Sequence, residues 1–155
     1  MQQWYFAYGS NLLKEQMIYR TGSLGDAEHP PRFARLARHR LVFERLETAG
    51  PAYANLRPSH AEVIGVLYCC TSEALKRLDS FEEGYERRTV QVTDSQGETV
   101  EAIAYFMREG AGKQIPGRPS DEYLVRIITG AKEHGLPEPY LCAVIALAQA
   151  DPELG

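Results

Sequence analysis

The sequence predicts an α+β fold: five to seven mostly antiparallel strands, curled into a partial β-barrel, with helices between and after them. Three observations lead there. Short apolar, β-branched or alternating runs fill the first two thirds of the chain, two of them are joined by the tight turn Asp94-Ser-Gln-Gly, and the last third carries two helical patterns.

Trp4 to Tyr8 is an aromatic-rich run that stops at Gly9-Ser10-Asn11, as a buried strand ending in a turn does. From Asn11, read as an N-cap, Leu12, Leu13, Met17 and Ile18 recur at helical spacing, and Gly22 lies near the end. Asp26 to Arg32 holds two prolines and is read as a loop. Arg40 to Leu46 alternates as a strand, a turn-rich piece surrounds Gly50-Pro51, and Ala52 to Leu56 forms a short strand. Glu62 to Cys70 is apolar on both faces and predicts a central strand. Thr71 caps a short helix whose apolar positions are Ala74, Leu75, Leu78 and Phe81. Thr89 to Val92 and Val100 to Met107 make the hairpin. After the loop Gly110–Pro119, Ser120 caps a helix with Asp121 and Glu122 in its first turn, closed at Gly135. Pro137 opens a last helix, with Tyr140, Leu141, Val144, Ile145 and Ala148 on one face.

The 155 residues fit one domain, 1–155, and 44% hydrophobic content is enough for a core without a metal or disulfide staple. A net charge of -4 argues against a nucleic-acid partner, which needs a basic face. Arg32, Arg35, Arg38, His39 and Arg40 alternate with apolar residues and read as the solvent side of a strand or loop. Cys69, Cys70 and Cys142 have neither disulfide-framework nor zinc spacing and read as buried thiols; the four histidines are scattered, so no metal is expected. The N-terminus lacks a basic region followed by an apolar stretch, and no apolar segment approaches the ~20 residues that cross a bilayer. A cytoplasmic protein without a membrane partner is expected.

Three segments could carry chemistry. Tyr5-Phe6-Ala7-Tyr8-Gly9-Ser10-Asn11 ends a strand in a turn whose N–H groups, unhindered at Gly9, can face a carboxylate or an oxyanion; an ordinary capped turn is the alternative. Leu78 to Thr89 contains Asp79, Glu82, Glu83 and Glu86. Glu86 with Arg87 and Arg88 reads as strand-edge charge. Glu82 follows Phe81 and lies four past Leu78, along the apolar side of the helix, where a carboxylate's pKa rises. Tyr123, on the first turn of the helix capped by Ser120, faces the core or a pocket rim. Ser10 has no histidine tied to it by sequence and is not read as a nucleophile.

Taken in order, these pieces resemble the γ-glutamylcyclotransferase family. Tyr5 to Leu12 resembles its N-terminal signature, Gly65-Val-Leu-Tyr68 its central strand, and Leu78-Asp-Ser-Phe-Glu82 the segment bearing its essential glutamate. Pro119-Ser-Asp-Glu-Tyr123, Gly130 to Pro137 and Tyr140 resemble its C-terminal helical motif. The resemblance implies a small β-barrel with flanking helices, conversion of a γ-glutamyl amine or amino acid to 5-oxoproline and free amine, and no cofactor. It makes Glu82 the proton carrier, Tyr5 to Asn11 the substrate-binding stretch, and Tyr123 a substrate contact. Family members often carry an insertion where Glu83-Gly84 here leads straight into Tyr85; counting from Leu78-Asp79 favours Glu82 over Glu83. Leaving-group specificity is expected in loops Asp26–Arg32 and Gly110–Pro119, and the family admits homodimers. A non-catalytic binding or regulatory domain of the same fold is the alternative.

Overall fold

Tyr5, Phe6 and Ala7 end the first strand, β1 (Gln2–Ala7), and all three are buried, so β1 runs through the interior rather than along an edge. The computed structural model describes residues 1–47, 49–110 and 112–151; residues 48, 111 and 152–155 of the expected 1–155 domain, and the side chain of Ala49, lie outside that description. β1 is antiparallel to β3 (Ala49–Thr71) and, at Trp4 and Tyr5, parallel to β5 (Thr99–Met107). β5 forms the expected hairpin with β4 (Tyr85–Asp94). β2 (Arg32–Leu46) meets β4 at Ala34 and Arg35 and β3 along most of its length. The pairing therefore returns to its start, and β3, β1, β5, β4 and β2 close a barrel with a single parallel seam. A short β6 (Gln114–Pro116) adds to the outside of β2.

Several elements differ from the sequence reading. The two strands expected on either side of Arg57-Pro58 are one 23-residue strand, β3, and Gly50-Pro51 lies within it. The polar run after Arg57 marks a bulge rather than a break: register slips opposite Arg38, which takes φ 62°, so both partners bend together. Pro51 is tolerated because it falls in a second irregularity of the β2–β3 ladder, between the Leu46–Ala49 and Glu44–Tyr53 pairs, where it has no register partner. Gln114–Pro116 lies inside the segment read wholly as loop. Cys142 is exposed, whereas Cys69 and Cys70 are buried.

The helices pack outside the barrel. A 3₁₀ turn (Ser10–Leu12) precedes α1 (Lys14–Thr21), which stops at Gly22 with φ 85°, a left-handed conformation that glycine adopts without a Cβ clash. Asn11 is not the N-cap: Leu13 holds that position, and the Asn11 side chain is turned inward and 3% exposed. In α2 (Ser72–Phe81) the Thr71 side chain accepts from Ala74 N, and Ala74, Leu75 and Leu78 are buried. Phe81 is not on that face; it is 44% exposed. α3 (Asp121–Glu133) is capped by Ser120, whose side chain accepts from Tyr123 N. α4 (Glu138–Gln149) buries Leu141, Val144 and Ala148, with Tyr140 and Ile145 packed beside them.

Two glycines let backbone approach backbone at positions where any side chain would collide. A Cβ on Gly65 would fall 2.2 Å from Ala7 O and 2.9 Å from the Phe6 ring. A Cβ on Gly130 would fall 2.3 Å from both Leu12 C and Leu13 N, so α3 lies flush against the back of the 3₁₀ turn. Tyr68 supports the same turn from within: its hydroxyl is 2.9 Å from Asn11 O, 3.1 Å from Leu12 O and 2.9 Å from His134 Nε2. A neutral His134 suits this place, since burial and then Lys14 lower its pKa.

Candidate active site

The end of β1, the 3₁₀ turn and the end of α2 converge on a cavity of about 310 Å³. Tyr5, Tyr8, Gly9, Ser10 and Asn11 line it, as do Glu82 and Tyr123. Phe6 and Ala7, expected in the binding stretch, do not. Both are 0% exposed and belong to the core, Phe6 packing in the space that Gly65 leaves.

Asn11 is the hub. Its Nδ2 donates to Tyr5 OH and to Glu82 Oε1, both at 2.9 Å. Its Oδ1 accepts from Gln16 Nε2 at 3.0 Å and Arg20 Nη1 at 3.1 Å. Gln16 and Arg20 stand one turn apart on α1, which places both on the face above the turn. Gln16 also donates to Ser10 Oγ at 2.7 Å, and Arg20 lies 3.5 Å from Glu82 Oε1. The turn closes through Leu12 N to Gly9 O and Leu13 N to Ser10 O. The N–H groups of Ser10 and Asn11 precede the first of these bonds and have no acceptor inside the turn.

Glu82 is the C-cap of α2, with φ -105° and ψ 45°, so the helical spacing that singled it out stops one residue short. Its side chain is largely buried all the same, 15% exposed. Burial raises its pKa to about 7, against the pull of Arg20 and of the Asn11 hydrogen bond, with Asp79 adding a smaller upward push. Glu83 is exposed at the rim. Asp79 is occupied elsewhere: it accepts from Arg87 and Tyr105, and these bonds overcome burial to hold its pKa below the ordinary value. Arg87, read as plain strand-edge charge, is therefore the partner of a helix carboxylate.

Tyr5, Tyr8, Tyr85 and Tyr123 remain protonated. Burial pushes Tyr5, Tyr8 and Tyr85 well above their usual pKa and Tyr123 up to about 12. Tyr123 OH accepts from Ala54 N at 3.1 Å and would lie 3.2 Å from a Cβ on Gly9, so the glycine makes room for it. Tyr85 OH donates to Ala54 O at 2.6 Å. No described residue of loops 26–32 and 110–119 lines the cavity. Its mouth is instead flanked by Tyr53, Phe81 and Arg126, and Phe81 carries the Arg20 guanidinium 5.0 Å above its ring centroid.

Sequence reasoning missed Arg20, Gln16 and Arg126. For the first two the signal was present: polar residues four apart on the helix leaving Asn11. Arg126 follows Tyr123 by three residues, one helical turn. Among the described residues no group of three or more His, Cys, Asp or Glu side chains converges as a metal site. No helix there is long and apolar enough to cross a membrane.

A small barrel holding a tyrosine-lined cavity, with a largely buried carboxylate beside a strand-end turn, makes a candidate small-molecule site. Comparison with known proteins supplies the family. The sequence profile of the AIG2-like family matches residues 62–144. The structure of a γ-glutamyl cyclotransferase is 30% identical, with a TM-score of 0.81 over 98% of this chain and 89% of that one. A structure of an uncharacterized Homo sapiens protein is also 30% identical, with a TM-score of 0.78 over 97% and 89%. A yeast γ-glutamyl cyclotransferase specific to glutathione shares the fold at 14% identity and a TM-score of 0.62, over 95% of each chain. No curated protein sequence matches. The chain belongs to the γ-glutamylcyclotransferase-like, AIG2-like family.

Proposed function

We propose that this protein is a cyclotransferase that releases 5-oxoproline and a free amine from a γ-glutamyl compound, with Glu82 as the proton carrier. The observation that carries this is the largely buried Glu82 carboxylate, its pKa raised to about 7, in the same cavity as the turn after β1.

The reaction needs no protein nucleophile. The α-amine of a γ-glutamyl amide attacks its own γ-carbonyl; a C–N bond closes the five-membered ring, and the bond to the leaving amine breaks. Selecting the folded conformer turns the attack into a well-oriented internal one, worth effective molarities of ~10⁵–10⁸ M. The attacking nitrogen must lose a proton and the departing one must gain it. Glu82, balanced near neutrality, can accept the first and return it to the second, a contribution of about 10²–10⁴-fold. Arg20 and Asn11 hold the carboxylate in place for both steps. Tyr5 and Tyr123 each accept a bond from the protein, which leaves the hydroxyl proton for the substrate. The Ser10 and Asn11 N–H groups are the donors for its α-carboxylate or the tetrahedral oxyanion.

The test is incubation of the purified protein and of Glu82→Gln with a panel of γ-glutamyl compounds, following 5-oxoproline. Turnover by the wild type and its loss in a folded variant is the expected result. Equal turnover by both removes Glu82 from the reaction, and no turnover of any compound removes the activity.

A further inference from the structure

Arg126 stands at the mouth of the same cavity, one helical turn beyond Tyr123, and the proton transfer described above gives it nothing to do. Its guanidinium is half exposed and held from two sides. Nη1 is 3.4 Å from Gln16 Oε1, and Gln16 in turn holds Ser10 and Asn11, so this contact draws the guanidinium toward the substrate turn. Nη2 donates to Glu122 Oε1 at 2.6 Å, but that carboxylate is 79% exposed, and such surface pairs contribute little in water. A guanidinium has five N–H donors, so these two contacts leave donors, Nε among them, without a partner among the described residues. The cavity's other guanidinium, Arg20, sits on the proton carrier's side, its Nη1 against Asn11 Oδ1 and Glu82 Oε1.

Charge and position then sort the ligand. A γ-glutamyl head lies against Glu82, because its ammonium must reach that carboxylate, and its own carboxylate lies beside the Ser10–Asn11 turn and Arg20. The leaving amine then points outward, where Arg126 is the cation not committed to Glu82. Tyr53 and Phe81, 43% and 44% exposed, give that region aromatic walls that an amino-acid side chain can cover.

We infer that Arg126 is the specificity-determining residue for the leaving group: it binds a carboxylate on the departing amine, so γ-glutamyl α-amino acids are handled better than γ-glutamyl amines without a carboxylate. This rests on the cyclotransferase reading above. A charge-assisted, fork-shaped contact of this kind discriminates by about 10- to 100-fold in kcat/KM.

The experiment compares γ-glutamyl-alanine with γ-glutamyl-ethylamine, which differ only by the leaving group's carboxylate, in the wild type, Arg126→Gln and Arg126→Lys, with melting temperatures to verify folding. The wild type is expected to prefer γ-glutamyl-alanine, and Arg126→Gln to lose that preference mainly through KM for γ-glutamyl-alanine, with Arg126→Lys in between. A wild-type ratio near one overturns the inference and leaves the cyclotransferase standing. So does an Arg126→Gln protein that melts like the wild type but keeps the ratio, or that is inactive on both compounds; the latter makes Arg126 a support for Gln16. If the wild type turns over neither compound, the cyclotransferase reading itself fails and takes this one with it.

Discussion

Asn11 Nδ2 donates to Glu82 Oε1 at 2.9 Å, joining the turn after the first strand to the end of α2 across 71 residues of sequence. One amide thereby fixes the carboxylate's direction and lowers its pKa from where burial alone would set it. Arg20 makes the larger of the two downward contributions.

Arg20→Gln should therefore move the acid limb of the kcat/KM profile upward. The base form of Glu82 does the first proton transfer, so activity falls as pH drops through about 7 in the wild type. With the cation gone the fall begins at higher pH, and activity at pH 7 drops by up to about tenfold while activity near pH 9 changes less. A pH–rate profile on a γ-glutamyl substrate measures this, and an unmoved limb would mean another group titrates.

Stability carries the same information with a different sign. Glu82 goes from 4.5 in the unfolded chain to about 7 in the folded one, so folding favours its protonated form. Its contribution is present below pH 4.5 and lost as pH rises through 7, a span worth about 3 kcal/mol at most. Glu82→Gln, which never ionises, should be more stable than the wild type at pH 8 and close to it at pH 4.5. Urea melts at the two pH values test the crossover.

Glu83→Gln should keep most of the wild-type turnover, because that side chain is exposed at the rim rather than held against Asn11 and Arg20. Loss of 5-oxoproline formation in this variant, with Glu82→Gln still active, would transfer the proton-carrying role one residue along the chain.

Gly130→Ala tests the back of the turn. Its methyl would meet Leu12 and Leu13 backbone at 2.3 Å, which no rotamer change relieves, so either α3 or the turn must shift. Overpacking of this kind costs about 1–3 kcal/mol. The melting temperature should fall, and kcat should fall further than unfolding explains, because the displaced Leu12 and Leu13 backbone continues directly from Ser10 and Asn11, which line the cavity.

Much of the barrel was legible because its signals are local: the Asp94 turn, the apolar run 63–70 and the Ser120 cap each depend on a few adjacent residues. The joining of β3 into one strand was not, since the bulge opposite Arg38 compensates for a polar run from another part of the chain. Glu82 was singled out by a helical spacing that does not reach it, and Phe81, placed on the buried face, is exposed at the cavity mouth beside Arg20. Asn11 looked like a cap because capping and site-building use the same side-chain chemistry, and only the tertiary position of Tyr5 and Glu82 separates them. Arg126 could not be assigned from sequence, since nothing local distinguishes it from a surface arginine on an amphipathic helix.

The parallel seam between β1 and β5 has a kinetic consequence. Gln2–Ala7 reaches its second neighbour only when residues 102 and 103 are in place, about a hundred positions later. Contacts of such separation in sequence slow folding, because the intervening chain must be ordered before the pairing is rewarded. The tyrosine-lined hollow has no floor until that zipper closes, so a half-folded chain has nowhere to hold a small ligand, and ligand binding would draw the population toward the closed barrel.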